Sequence, residues 1–145
     1  MFEKILYPID FSDVSLKALA VVKQLKEAGA KDVVILHVID SRFFDAMAWY
    51  SHKKNLKEIG SDLEQEAKRQ ISTIEKDLLD YGFNVNIRIV NGVPSSAILR
   101  VEKEENVSAI VIGSHGMSNL EEMLIGSVSE KVIRKARGLV LVVKR

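Results

Sequence analysis

Five short apolar runs recur along the chain, at residues 4–9 (KILYPI), 32–39 (DVVILHVI), 84–90 (NVNIRIV), 108–113 (SAIVIG) and 139–144 (LVLVVK). All but the third are nearly continuous in Val, Ile and Leu, which predicts strands buried on both faces, as in a parallel sheet. The third alternates Val85, Ile87 and Ile89 with Asn84, Asn86 and Arg88, which predicts an edge strand with one wet face. Between the runs the apolar period changes to 3.6. Ser12 is placed to cap a helix whose inner face carries Val14, Ala18, Val21, Val22 and Leu25, with Gly29 as its stop. A longer stripe joins Leu56, Ile59, Leu63, Ala67, Ile71, Ile74 and Leu78 and closes at Tyr81-Gly82; its other faces are rich in Lys and Glu, as a solvated surface should be. Pro94 fits the first turn of a third helix with Ala97, Ile98 and Val101 inward, and a fourth starts near Ser127. The least regular stretch is residues 40–54. Strands separated by helices predict right-handed crossovers and a doubly wound α/β sheet in one domain, residues 1–145, without repeat, low-complexity tract or linker.

In such sheets ligands lie beyond the carboxyl ends of the strands, where the strand order reverses. The residues there are Pro8, Asp10 and Ser12 after the first run, His37-Val38 closing the second, NGVP (91–94) after the third, and GSHGMSNLEEMLIGSVSEKVI (113–133) after the fourth. Gly113 and Gly116 are expected to turn with positive φ and to admit a ligand where a Cβ would stand. Gly126-Ser127 opens a helix, whose first amides lack internal partners and carry the positive end of the dipole. Together these form a cradle suited to phosphate, with the hydroxyls of Ser127 and Ser129 as added donors. Asp10 is placed to accept from ribose hydroxyls or an adenine amine, and the main chain of Val38 to read an adenine edge. The glycines by themselves leave a plainer reading open, in which 113 and 116 only turn the chain and Ser127 only caps a helix.

Composition narrows the classes. The net charge of +1, from 21 basic and 20 acidic residues, supplies no field toward nucleic acid or an anionic membrane. With no cysteine there is no disulfide, thiolate nucleophile or cysteine zinc site, which suits a cytoplasmic protein. The opening MFEKILYPIDFSD lacks the pattern of a signal peptide, and no apolar run approaches the roughly 20 residues of a membrane span.

The spacing Gly113-SH-Gly116-MSNLEEMLI-Gly126-Ser127 is G-x2-G-x9-G-S/T, and it resembles the nucleotide signature of the universal stress protein family. ILYPIDFSDVSLKAL looks like that family's first strand and helix, LHVID its second strand, NGVPSSAIL its Gly-x-Pro turn, and LIGSVSEKVIRKARGLVLVVKR its usual ending. The intact glycines are similar to the ATP-binding branch. The resemblance implies a five-stranded parallel sheet in the order 3-2-1-4-5 with helices on both faces. It implies ATP with magnesium or manganese bridging phosphate oxygens, and no metal ligand from the protein. Pro8 and Asp10 would line the adenosine pocket, and Val38 would hold adenine. Gly113, Ser114, His115, Gly116 and Met117 would wrap ribose and phosphates, and Gly126, Ser127, Val128 and Ser129 would hold the β- and γ-phosphates. It also implies a homodimer, paired through the apolar last strand from Leu139 as far as Lys144.

Other constellations are missing. There is no GxxxxGK[S/T] lysine loop, GxSxG elbow, HExxH or GxGxxG turn after the first strand. His37, His52 and His115 lack metal-ligand spacing; His37 reads as a structural strand residue, His52 as surface, and His115 as a phosphate or ribose contact before a catalytic base. Phe43, Phe44 and Trp49 fit a pocket cover, a dimer contact or simple burial. Two classes remain: a nucleotide-dependent regulator or sensor read by a protein partner, and a slow ATPase. The first is favoured, because hydrolysis needs a positioned water, a charge clamp and a base that the sequence does not supply.

Overall fold

A computed structural model of the chain describes residues 1–50, 56–116 and 125–145. The strands are β1 (Lys4–Pro8), β2 (Asp32–Asp40), β3 (Asn84–Gly92), β4 (Ala109–Gly113) and β5 (Leu139–Val143). All pair in parallel, in the order β3-β2-β1-β4-β5, so the sheet is doubly wound and the order reverses between β1 and β4. The alternating β3 run is an edge strand, as its pattern predicts, and β5 is the other edge.

Successive strand residues point to opposite faces. Ile5, Tyr7, Val33 and Ile35 meet Ala18 and Val22 of α1 (Asp13–Gln24) and Ile71, Ile74 and Leu78 of α3 (Leu56–Asp80). Leu6, Val34, Leu36, Ile110 and Ile112 meet Ile98 and Val101 of α4 (Pro94–Glu105) and Val132 of α5 (Ser127–Lys135). Helices therefore cover both faces, and the predicted stripes are the ones buried, except that Leu56 at the start of α3 stays exposed and Val21 and Leu63 are half-buried. Gly29 and Gly82 close the turns after α1 and α3 at φ near +100°. Among the described residues no helix is long and apolar enough to cross a membrane.

The stretch read as least regular contains a helix, α2 (Ser41–Tyr50). Its start is held by Asp40, whose Oδ1 accepts from the Arg42 amide at 3.0 Å. The Arg42 guanidinium closes on the same carboxylate at 2.8 Å, and these hydrogen bonds hold the Asp40 carboxyl below its usual range. Phe44 turns inward, next to Gly60 of α3, whereas Phe43, Trp49 and Tyr50 lie outside. Sequence periodicity misses α2 because it has no buried stripe: none of its residues is fully buried.

Two ties fix helices against the sheet. The fully buried Tyr7 donates its hydroxyl to the Ser15 carbonyl at 2.5 Å, joining β1 to the first turn of α1. Burial, with the Asp10 charge added, raises the Tyr7 phenol far above its ordinary value, so it remains a donor at every ordinary pH. At the opposite end of the sheet, Glu102 accepts from the amides of Arg137 and Gly138 at 2.9 and 3.0 Å and sets the corner between α5 and β5.

Candidate functional site

Among the described residues, those predicted for the site lie at the carboxyl ends of β1, β2 and β4 and at the start of α5, about the point where the strand order reverses. Pro8 ends β1, and Asp10 follows it in the turn to α1. Asp10 Oδ1 accepts from the Ser12 amide at 3.0 Å, and Ser12 Oγ in turn accepts from the Ser15 amide at 3.3 Å as the cap of α1. One carboxylate oxygen thus shapes the turn. The other, Oδ2, lies 3.0 Å from where a Cβ on Gly116 would stand, so Asp10 and the glycine loop after β4 face each other at close range.

The register explains why Val38 presents its main chain. The Leu36 carbonyl accepts from Ile9 N at 2.8 Å, and β1 pairs with β2 no farther than Pro8 opposite Leu36. In a parallel ladder alternate residues direct both backbone groups to the same neighbour. The N–H and C=O of Val38 therefore point toward the β1 side, beyond the point where β1 has left the sheet. Strand β3 covers only the other edge of β2 there, as far as Gly92 opposite Asp40.

The glycines act differently from the expectation. Among the described residues the positive-φ glycines are Gly29, Gly82 and Gly92; Gly113, Gly116 and Gly126 are not among them. Gly113 is required by packing: a Cβ there would lie 2.9 Å from Val14 Cγ1 and 3.1 Å from Ser15 N, inside the first turn of α1. Gly126 is required by backbone approach, since its Cβ would stand 3.2 Å from the Ser114 carbonyl oxygen and 3.4 Å from His115 Cα. Its amide donates to that carbonyl at 2.6 Å, tying the start of α5 to the end of β4. Gly126 is also the N-cap of α5, and among the described residues no side chain caps the helix. The amides of Ser127 and Val128 thus open the helix beside Gly116 without the usual side-chain acceptor.

The serines divide in role. Ser127 is exposed at the helix start, and Val128 packs partly into the core beneath it. The buried Ser129 donates its hydroxyl to the Gly113 carbonyl at 2.6 Å, so that hydroxyl locks α5 onto β4. Met117 and His52 lie outside the described residues.

A match to the description "Universal stress protein family" covers residues 1–144. The chain belongs to the universal stress protein family. It is 42% identical over 156 aligned residues to the universal stress protein MJ0577 of Methanocaldococcus jannaschii, covering all of this chain and 96% of that one. The solved structure of MJ0577 superposes with a TM-score of 0.89 at 43% identity, over 100% of this chain and 97% of the other. The universal stress protein YxiE of Bacillus subtilis is 33% identical over 148 residues, 99% of this chain and 100% of YxiE. A universal stress protein from Archaeoglobus fulgidus, solved in complex with dAMP, shares the fold with a TM-score of 0.65 at 20% identity, over 99% and 98% of the two chains.

Within this universal stress protein, one neighbour of the site carried no recognisable signal in the sequence. Phe11 adopts φ +65°, a left-handed conformation costly for an aromatic residue, directly after Asp10. Its ring lies 4.8 Å from that of His37, and His37 Nδ1 donates to the Ile9 carbonyl at 2.8 Å. His37 is the structural residue expected, but its work is to brace the turn after β1. A ring contact between residues on separate elements leaves no trace in local pattern.

Proposed function

We propose that this universal stress protein binds ATP with a divalent cation and serves as a nucleotide-dependent regulator read by a protein partner. The observation that carries this is the meeting of the uncapped first turn of α5 with Asp10 across Gly116, at the point where the strand order reverses. In this reading Pro8, Asp10 and the main chain of Val38 receive adenosine. The segment from Gly113 through Gly116, continuing to Met117, wraps ribose and phosphates, and the amides from Gly126 to Ser129 hold the terminal phosphates. The nucleotide carried by the Archaeoglobus fulgidus relative supports a nucleotide over an unrelated anion. In this reading magnesium or manganese would be held through the phosphate oxygens it bridges. One domain, residues 1–145, and a cytoplasmic location complete the reading.

Calorimetry with ATP, ADP, FMN and NAD in the presence of magnesium tests it. ATP should bind with a Kd below about 1 mM, an association worth about 4 kcal/mol or more. Binding of FMN without binding of ATP would overturn it. Single-turnover incubation with labelled ATP should release little phosphate. Fast release would move the protein to the ATPase class.

Asp10→Asn separates the two oxygens of Asp10. The Asn carbonyl still accepts from Ser12 N, so the turn is kept, while the charged acceptor facing Gly116 is lost. Affinity for ATP should fall about ten- to a hundredfold, the cost of a charged hydrogen bond, with the melting temperature nearly unchanged. Unchanged affinity would confine Asp10 to shaping the turn.

The reading includes a homodimer paired through β5. The Val143 carbonyl accepts from Ser114 N at 2.8 Å, so Val143 faces β4 and, by alternation, Val142 directs its backbone groups to the open edge. Val142→Pro removes an outward amide and leaves the β4 ladder intact. Light scattering should give a dimer for the parent and a monomer for the variant, with circular dichroism unchanged. A monomeric parent at roughly tens of micromolar would overturn the dimer, and a dimer persisting in the folded variant would place the interface elsewhere.

A further inference from the structure

A second helix begins at the carboxyl ends of the strands without a side-chain cap among the described residues. This is α4, whose N-cap Val93 is extended and whose first residue, Pro94, has no N–H. The amides of Ser95 and Ser96 come before the first intrahelical bond, which Ala97 N makes to the Val93 carbonyl at 2.9 Å. Helix α4 packs on β2 and β3, on the same face of the sheet as α5 and beside it.

In that first turn stands a serine that folding does not explain. Ser95 is only 6% exposed. It precedes the buried Ile98 by three residues and the buried Glu102 by seven, so it lies on the inner face of the helix. Elsewhere such hydroxyls bond locally: Ser15 Oγ donates to the Ser12 carbonyl at 3.0 Å, and Ser72 Oγ to the Arg69 carbonyl at 2.7 Å. Ser95 Oγ has no hydrogen-bond partner among the described residues. Among the same residues only Glu102 Oε2 is both sealed and unpartnered, so the Ser95 oxygen keeps an opening. An unpartnered hydroxyl on a buried face costs stability, and folding alone would favour alanine there.

Helix geometry gives the hydroxyl its direction. Side chains tilt toward the helix N-terminus, so Ser95 in the first turn is aimed past the start of α4. There the chain arrives from β3, in which Val90 pairs with Val38 and Gly92 with Asp40. Val38 and Val90 pack on the cluster that contains Ile98, one turn further into α4. Ser95 is thus one turn nearer the ligand end than that packing, on the side where Val38 leaves its main chain open.

We infer that the Ser95 hydroxyl, with the open amides of Ser95 and Ser96, is a donor subsite for the nucleobase, and that the hydroxyl donates to a ring nitrogen of adenine. A nucleotide with its phosphates at α5 and its base at Val38 turns the base end to α4, and the unprotonated ring nitrogens of adenine match a group of donors. This rests on the nucleotide reading above and deepens it with a residue outside the glycine signature.

Ser95→Ala tests the subsite. The melting temperature should stay the same or rise, because an unpartnered hydroxyl leaves a buried face. Calorimetry with magnesium compares ATP, inorganic tripolyphosphate, and analogues of ATP in which carbon replaces one base nitrogen, N1, N3 or N7. The variant should bind ATP about three- to tenfold more weakly, the value of one neutral hydrogen bond, with tripolyphosphate affinity unchanged. One analogue should bind the parent with the same loss, and that analogue alone should fail to distinguish parent from variant. Unchanged ATP affinity in the variant overturns the inference, as does an equal loss for tripolyphosphate. An equal loss with all three analogues, or a lowered melting temperature, would make Ser95 merely structural and overturn it too. In each of these cases the parent still binds ATP. A parent that binds no ATP would instead overturn the nucleotide reading, and the subsite with it.

Discussion

Gly116→Val is expected to abolish ATP binding, a loss of more than about a hundredfold, in a protein that still folds. A Cβ at Gly116 would already stand 3.0 Å from Asp10 Oδ2, and the two valine methyls extend farther into the space between the turn after β1 and the start of α5. The obstructing atom is the tip of a side chain, so Asp10 can yield by turning. In turning it withdraws the carboxylate oxygen that faces the nucleotide space, while the methyls occupy that space. The stability cost should stay near about 1 kcal/mol, as for most single substitutions. Calorimetry and a thermal melt read the two quantities separately, and ATP affinity equal to the parent's would remove Gly116 from the site. Gly126→Val is a blunter change. The atoms it would meet are backbone atoms of Ser114 and His115, so stability should fall along with binding.

Gly113→Ala should destabilise the protein by about 2–3 kcal/mol, at the upper part of the range for overpacking a closed core. The added methyl would stand 2.9 Å from Val14 Cγ1 and 3.1 Å from both Ser15 N and Val14 C. A rotamer change by Val14 relieves only the first contact. The other two are main-chain atoms in the first turn of α1, held by Ser12 Oγ and by the Tyr7 hydroxyl. Helix α1 must therefore shift as a body from β4. For a chain of this length the melting temperature should drop by roughly 5–12 °C. A melt within about 2 °C of the parent would mean that α1 slides freely and that the ties through Tyr7 and Ser12 hold little. Because α1 begins just after Asp10, ATP affinity should also fall in this variant, but only through displacement of that turn.

These expectations show where sequence reading succeeds. Nearly continuous Val, Ile and Leu in the runs that became β1, β2 and β4 reported burial on two faces, whereas β5, at the other edge, is at most half-buried. Alternation in β3 reported a half-wet edge. The stripes of α1, α3 and α4 and the Pro94 start were legible because each records which side of one element meets a core. Spacing of Gly113, Gly116, Gly126 and Ser127 brought out the ligand end of the sheet and the family together.

Tertiary structure decided what those same residues do. A glycine reads alike whether it supplies positive φ, room for a neighbouring helix or room for a crossing backbone. Only the approach of α1 to Gly113, and of Gly126 to Ser114, distinguishes these. The serine hydroxyls were equally ambiguous, and the fold turned Ser129 onto the Gly113 carbonyl and Ser114 onto His115. Helix α2 and the Phe11–His37 contact likewise depend on partners from other elements. Local pattern determined which faces are buried, because burial imposes a period on consecutive residues. The roles of single atoms at the site arose only when separate elements met, as α5 met β4 and the turn after β1 met Gly116, and such contacts impose no period on either segment.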